Sequence, residues 1–445
     1  MRESKPNRSG PRREPATGAL LRERALRALL AVDLQEQGSQ SALNQALAAE
    51  PPLPLNDRRL CTELVYGVLR RQRALDRWIA PACQRGLYDM APAVLAALRL
   101  GAYQLCELQR VPAYAAVDAT VEACKSVAEL PAKAVGFVHA VLRQLARQAA
   151  DGQLPDRDDL PPWIDQRVGD LARDLGLNAD ELRQAFLGMA PLHLHAVTPR
   201  GFEGLRESDI PLAELAVPGT AQAPSEALHH PDFAKHFVAQ DAASAAITEW
   251  LEPGPGQTIL EVAAGRGVKS ACLAAAGADV TALDLAPGKL AEAEGLAQQL
   301  GAPLHQTLVA DATQPLPLGD AQFDAVLVDA PCSGLGTLRR RPEIRHRRRA
   351  ADLVGLTQIQ DQIADQAARH VRPGGILLLA TCSIADEEGP QWCQRFTAKH
   401  PEFKLDPGAL PWLQPLLTGP GWLRTHPLQD GMDGFFAARL RRDPK

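Results

Sequence analysis

Two cysteines in this chain, Cys332 and Cys382, each follow an apolar run and each precede a serine. The first lies in Phe323-Asp324-Ala325-Val326-Leu327-Val328-Asp329-Ala330-Pro331-Cys332-Ser333-Gly334. Val326, Leu327 and Val328 read as a buried central strand of a parallel sheet. Asp329 then falls at the C-terminal edge, where open α/β sheets bind ligands. Pro331 and Gly334 punctuate the loop and hold Cys332 out of regular structure. The second thiol closes Ile376-Leu377-Leu378-Leu379-Ala380-Thr381-Cys382-Ser383. A lone cysteine is often an inert core residue. Two of them, delivered by two strands to one edge of one sheet, point to thiol chemistry.

The stretch before these strands supplies a second reactant. From Gln240 onward strands alternate with helices, the mark of a doubly wound sheet. Thr258-Ile259-Leu260-Glu261-Val262 reads as a strand. Ala263-Ala264-Gly265-Arg266-Gly267-Val268-Lys269 is a tight small-residue turn opening a helix. Asp279 to Asp284 is a second strand ending in a carboxylate, and Leu308-Val309-Ala310-Asp311 repeats that design. A glycine turn lets a ligand approach the backbone closely. A carboxylate about twenty residues on accepts hydrogen bonds from ribose hydroxyls. Nicotinamide dinucleotides and S-adenosylmethionine both fit that pair of features, and the turn lacks the third glycine of the dinucleotide fingerprint. Three acidic strand ends, Asp284, Asp311 and Asp329, suit a ligand with a ribose, an adenine amino group and a cationic methionine part. Methyl transfer then gives the thiols a task. Carbon 5 of a pyrimidine is a poor nucleophile, and a thiolate adding to carbon 6 makes it enamine-like. A carboxyl group at N3 assists that addition, and the carbon 5 proton must afterwards be removed for the thiol to leave. Either thiol is placed to attack.

The elements that position this chemistry fill the rest of the chain. At 445 residues, two or three domains are expected. Charges interrupt every apolar segment, so no membrane span is expected. Residues 1–17 are polar and rich in Arg and Pro, which predicts a disordered tail and, without a signal-peptide core, a cytoplasmic protein. Residues 18–150 carry helical periodicity, as in Leu60, Leu64 and Val68, and predict a bundle of six or seven helices, with Asp57 as a cap and a break at Gly101. Residues 151–236 predict a linker and a small α/β module, with Asn178 capping a helix and Leu192 to Val197 alternating as a strand. His193 and His195 share a face of that strand, but no third ligand is suggested and no metal site is expected. Residues 237–445 form the doubly wound domain. Eight cysteines without paired metal-type spacing fit neither a disulfide framework nor a zinc site.

Net charge is −5, yet Arg339, Arg340, Arg341, Arg345, Arg347, Arg348 and Arg349 crowd just after the Cys332 loop. Seven arginines with one acidic residue among them predict a phosphate-tracking, RNA-binding patch.

The pairing of Asp-Ala-Pro-Cys-Ser-Gly with Thr-Cys-Ser resembles the RNA 5-methylcytosine methyltransferase family. Arg110-Val111-Pro112-Ala113-Tyr114-Ala115-Ala116-Val117 and Gly136-Phe137-Val138-His139-Ala140-Val141-Leu142-Arg143 resemble the NusB-like RNA-binding domain. The whole architecture, the tail excepted, is similar to the bacterial small-subunit ribosomal RNA methyltransferases. The resemblance implies an all-α NusB-like bundle, a small α/β middle module and a Rossmann-like class I methyltransferase domain. It implies S-adenosylmethionine as cofactor, small-subunit ribosomal RNA as partner, and a monomer. It makes Cys382 the nucleophile and Cys332 the group that helps release product. Asp284 and Asp311 fall to the cofactor, and Asp329 stands between cofactor and base. The turn departs from the family's usual Cys-Ala-Ala-Pro-Gly-Gly-Lys, the middle module has Ala196-Val197-Thr198 where Arg-x-Asn is usual, and Leu379-Ala380 replaces Tyr-Ser before Thr381. A transfer RNA substrate, or a non-catalytic RNA-binding factor on the same fold, are the alternative readings.

Overall fold

The computed structural model describes residues 17–84, 86–155, 160–198, 201–231 and 233–444. The tail expected for residues 1–17 lies outside the described residues except at Thr17, which opens a helix. Part of the expected linker, residues 156–159, also lies outside them. Two compact units are present. One lies within Met1–Asp159 and takes in Arg341–Glu343; the other comprises Leu160–Arg340 and Ile344–Lys445. Among the described residues no helix is long and apolar enough to cross a membrane.

The first unit is helical: α1 (Thr17–Leu34), α2 (Ser39–Ala48), α3 (Leu55–Ile79), α4 (Pro92–Glu107), α5 (Ala113–Cys124) and α6 (Ala132–Ala150). Helix α4 is the hub. It opens on Pro92, whose missing N–H costs nothing at that position. It is then buried without interruption from Ala93 to Gln104, as a helix surrounded on all sides must be. Gly101 does not break it, contrary to the sequence reading. A Cβ there would meet Leu142 of α6 at 2.4 Å, so glycine is what lets the two helices close up. Asp57 is also not the cap of α3; the helix begins two residues earlier, and Asp57 lies in its first turn, where a carboxylate suits the helix dipole. Inside the bundle, Arg99 is forked onto Asp76 at 2.7 and 2.8 Å, both groups buried.

The second unit begins with α7 (Pro162–Leu175) and α8 (Ala179–Leu187). Asn178 caps α8 as expected, its side-chain oxygen accepting from the amides of Asp180 and Glu181 at 2.9 and 3.2 Å. A four-stranded antiparallel sheet comes next, built from β1 (Leu192–Ala196), β2 (Ala213–Glu214), β3 (Thr220–Ala223) and β4 (Phe237–Ala239), with short helices α9 (Glu203–Glu207) and α10 (Phe233–His236). His193 and His195 are both buried. His193 Nδ1 accepts from the Ala242 amide at 3.2 Å and His195 Nδ1 bonds Gln240 Oε1 at 2.8 Å, so these rings tie the small sheet to the Gln240–Ala242 segment.

The main sheet has nine strands. After α11 (Ala242–Glu249) come β5 (Thr258–Val262), α12 (Val268–Ala275), β6 (Asp279–Asp284), α13 (Pro287–Gln299), β7 (Gln306–Val309) and β8 (Phe323–Asp329). Beyond β8 the chain forms α14 (Ile344–Arg347), α15 (Asp352–Ala368), β9 (Val371–Thr381), α16 (Pro390–Lys399), β10 (Phe403–Leu405), β11 (Leu417–Thr418), β12 (Trp422–Arg424) and β13 (Phe436–Arg442). Strands β7, β6, β5, β8 and β9 run parallel in that order. Strand β13 adds antiparallel to β9 and carries β12 and β10. The central strands are buried on both faces, which is why they read as unbroken apolar runs. Strand β9 starts earlier than the sequence suggests, because Arg372-Pro373-Gly374-Gly375 stays within it beside an irregularity in the β8 pairing.

The Asp76–Arg99 fork yields a test of the helical unit. Asp76→Ala leaves a buried guanidinium short of its carboxylate and should cost about 3–5 kcal/mol. Urea unfolding followed by circular dichroism should show an early helical transition in the variant; a loss under about 1 kcal/mol would mean that the pair behaves as a surface one.

Candidate active site

Strand order reverses between β5 and β8, because the chain leaves β5 toward β6 and β7 before returning to its other side as β8. A crevice opens at such a point, beyond the C-terminal strand ends. Here it is a cavity of about 420 Å³ lined by the 263–269 turn, Asp329 and, across from them, His193, Asp241 and Arg340.

The turn is shaped to receive a ligand. Ala263, Gly265 and Gly267 have φ of +61°, +59° and +71°. The turn is closed from within, the amides of Ala264, Gly265 and Gly267 being bonded to Leu283 O, Asp284 Oδ2 and Ala264 O at 2.9, 2.8 and 3.0 Å. Gly267 is further required because a Cβ there would lie 2.1 Å from Ala293 Cβ, where α13 crosses. Ala263 tolerates the left-handed region at roughly 1–2 kcal/mol. Arg266 turns outward to Glu292 at 2.8 Å, while Ala264 is buried and Val268 half-buried.

The three acids end up in three different situations. Asp284 is buried at the end of β6; its Oδ2 accepts from the Gly265 amide at 2.8 Å and its Oδ1 from the Ala286 amide at 2.9 Å. It therefore braces the turn, and each oxygen keeps a lone pair for a ribose hydroxyl. Asp311 does not end a strand. Strand β7 stops at Val309, and Asp311 is exposed, accepting from Thr313 Oγ1 and its amide at 2.7 and 2.9 Å. Those two bonds hold its pKa below the usual carboxylate range. Asp329 ends β8 and meets Lys269 Nζ at 2.5 Å.

Lys269 is nearly fully buried. Burial alone would lower its pKa, but the charges of Asp329 and Glu261 outweigh it and hold the ammonium above its ordinary value. Glu261, an acid in the middle of β5, is buried and bonded by Ser270 Oγ. Burial pushes its pKa up to about 7, against the pull of Lys269 and Ser270.

The two sulfurs sit 3.3 Å apart. Parallel pairing of β8 with β9 sets Asp329 beside Ala380, and the strand ends deliver both loops to the same place. Backbone bonds from Ala330 N to Ala380 O and from Gly336 N to Cys382 O, each 3.0 Å, stitch the loops together. The hydrogen bond to Cys382, then burial, then the charges of Cys382 and Glu388 push the Cys332 thiol well above its ordinary pKa. Lys269 lies near enough to Cys382 for a negative sulfur there to favour the ammonium. The thiol raised in this way is Cys332, while the Lys269 cation stands on the Cys382 side.

The arginine run is only partly the solvated patch that its composition predicts. Arg339 is buried, its Nη2 donating to Gly431 O, Met432 O and Asp433 Oδ1 at 2.7, 2.6 and 2.9 Å. Arg345 is buried and donates to Phe186 O at 2.8 Å. These two are corrected from RNA contacts to internal supports, because neither guanidinium reaches solvent. Arg340 bridges Asp433 and Asp241 at 2.8 and 2.7 Å from the cavity wall. Arg348 donates to Ser333 O at 3.3 Å, and Arg347 is half-buried. Arg341, with Glu343 at 3.8 Å, and Arg349 remain exposed.

Four residues of the site escaped the sequence reading. Glu261 had one signal, a lone carboxylate inside an apolar strand. Asp241, Asp433 and Glu388 had none, since each sits in a turn or cap where an acid is ordinary.

Comparison with known proteins adds to this geometry. The family described as 16S rRNA methyltransferase RsmB/F matches residues 248–441, and the NusB family matches residues 20–147. The ribosomal RNA small subunit methyltransferase B of Thermus thermophilus is 34% identical over 426 residues, spanning 94% of this chain and 97% of that protein. A putative methyltransferase of Mycobacterium tuberculosis is 34% identical over 477 residues, spanning 98% and 99%. The crystal structure of PH0851 superposes with a TM-score of 0.77 at 24% identity, covering 94% of this chain and 99% of that one.

Glu261 makes stability depend on pH. Its folded pKa of about 7 lies above the ordinary 4.5. As pH rises between those values the unfolded chain loses this proton first, so stability is present below the window and lost across it. Relative to Glu261→Gln, the wild type should lose on the order of 1–3 kcal/mol in that range. Chemical unfolding at pH 5 and pH 7.5 measures the difference; parallel behaviour of the two proteins would refute it.

Proposed function

This chain belongs to the RsmB/F family of RNA cytosine-5 methyltransferases, and we propose that its own target is a cytidine of 16S ribosomal RNA, methylated through a transient bond between Cys382 and carbon 6. The observation that carries the reading is the sulfur pair, 3.3 Å apart where the paired strands β8 and β9 end.

The family's S-adenosylmethionine, when bound, supplies the methyl group. The Ala263 to Lys269 turn suits it, because its small left-handed residues let a ligand come close to the backbone beside a braced carboxylate. Asp284 is positioned for the ribose, and the exposed Asp311 lies beyond β7 for the adenine side.

The chain's own groups do the rest. Cys382 adds to carbon 6, forming the S–C6 bond and pushing the double-bond electrons toward carbon 5. The addition spreads negative charge to the N3 edge, which calls for a proton or a cation there, and the Lys269 ammonium held beside Asp329 is the group that can supply it. After methylation carbon 5 carries both the methyl and a proton. Bonding to carbon 6 also removes from Cys382 the charge and the lone pair that had kept Cys332 protonated. Cys332 then releases its proton to solvent and, as thiolate, takes the one on carbon 5. The electrons of that C–H bond restore the C5–C6 double bond, and Cys382 leaves as thiolate.

Support for 16S RNA comes from the small-subunit methyltransferases that match across both units, together with the NusB-like bundle. We assign RNA affinity to that bundle and to the exposed Arg341 and Arg349.

Cys382→Ala should be inactive and form no RNA adduct, whereas Cys332→Ala should accumulate an RNA-linked band on a denaturing gel that ribonuclease removes. The opposite pattern would make Cys332 the attacker. Bisulfite sequencing of 16S and transfer RNA from a deletion strain names the substrate. A lost methylcytosine in transfer RNA alone would overturn the ribosomal reading.

Arg341→Ala with Arg349→Ala should lower the slope of RNA affinity against salt by about one unit per phosphate contact, with cofactor binding unchanged. An unchanged slope would remove both residues from the interface.

A further inference from the structure

We propose that Glu388 is the positioning residue that makes the two thiols unequal: it clasps the Cys332 loop to the Cys382 strand and keeps the shared proton on Cys332. The inference rests on the reading of Cys382 as the attacker, and it adds what selects that sulfur.

Glu388 lies just past β9 and is completely buried. Its Oε1 accepts from the Ser333 amide at 2.8 Å and from Gln360 Nε2 at 3.1 Å, and its Oε2 accepts from Ser333 Oγ at 2.5 Å. Ser333 Oγ lies 3.1 Å from Ser383 Oγ, which in turn accepts from the Ala385 amide at 3.1 Å. Ser383 Oγ accepts from the Ala385 amide, either serine hydroxyl can donate to the other, and Ser333 Oγ donates to Glu388. The serine after each cysteine is therefore part of one relay.

The residues before each cysteine are held by the same group. Gln360 Nε2 also donates to Pro331 O at 3.0 Å, and Thr381 Oγ1 donates to the Glu388 carbonyl at 3.0 Å. Pro331, Ser333, Thr381 and Ser383 thus all answer to Glu388 or to its immediate partners, and the sulfurs between them have little freedom to part.

The charge has a second effect. All three donors to the carboxylate are neutral, so its negative charge is not cancelled by a direct ion pair. Among the described residues, the charged groups facing the thiols include Glu388 behind Cys332, Lys269 toward Cys382, and Asp329 on Lys269; Arg348 reaches the Ser333 carbonyl. A negative group behind Cys332 and a positive one beside Cys382 sort the proton in the direction that the reaction needs. The raised pKa of Cys332, to which the Glu388 charge contributes, agrees with this.

The test is limiting alkylation of the full-length chain with iodoacetamide from pH 6 to 10, with the labelled cysteine identified by mass spectrometry. The wild type should label Cys382 first. Glu388→Gln keeps the shape and removes the charge; it should move the Cys382-to-Cys332 ratio toward Cys332 by about tenfold, the equivalent of one pKa unit. Glu388→Asp, which retains the charge, should restore most of it. A folded Glu388→Gln protein with the wild-type ratio would overturn the inference. Ser383→Ala breaks the relay but spares the charge, so it should slow turnover while keeping the ratio; a shifted ratio there would overturn the inference even if Glu388→Gln fails to fold. If the wild type itself labels Cys332 first, the assignment of the attacker fails, and that outcome is separate from any result with Glu388.

Discussion

The parallel pairing of β8 with β9 is the constraint on which the site depends. Asp329 stands beside Ala380, with Val328 against Leu379 and Leu327 against Leu378. A parallel ladder aligns the C-terminal ends of its strands, so both cysteine loops must emerge on the same side. A shift of one residue would turn every side chain of β9 to the opposite face. The buried runs Val326 to Val328 and Leu377 to Ala380 oppose such a slip only weakly by hydrophobicity, being apolar throughout. The polar stitching at the ends, Gly336 to Cys382 and Ser333 to Glu388, supplies the register that the apolar middle does not encode.

Around that pairing the crevice alternates in charge. Glu261, Lys269, Asp329, the Cys382 sulfur and Glu388 form a series in which a single ammonium serves two carboxylates and a sulfur. Buried charges persist only when paired or well bonded. Here the arrangement leaves the Cys382 sulfur near the cation and the Cys332 sulfur near an anion. Removing Lys269 would therefore disturb several groups at once, and its effects would not add simply to those of its neighbours.

The fold class was legible because it rests on local pattern. Unbroken apolar strands ending in Asp announce a parallel sheet, and a Cys-Ser after each of two such strands stands out. Other features depend on distant partners. Gly101 looks like a helix break until Leu142 is seen against it. Arg339 and Arg345 look like a surface run until Asp433 and the Phe186 carbonyl take them inside. Asp311 looks like a strand end, yet β7 stops at Val309. Glu388 looks like an acidic turn, and only the three-dimensional meeting of two loops gives it a task.

Strand β9 has a further property with consequences during synthesis. One side pairs with β8, made before it, and the other pairs through Ile376 to Thr381 with Phe436 to Arg441 of β13. A nascent chain that has completed β9 therefore holds an apolar, unpaired edge until β13 leaves the ribosome. For that interval the strand leading to Cys382 is an aggregation-prone edge. The Cys382 loop gains its fixed position, and the sheet its protection, in one late folding event.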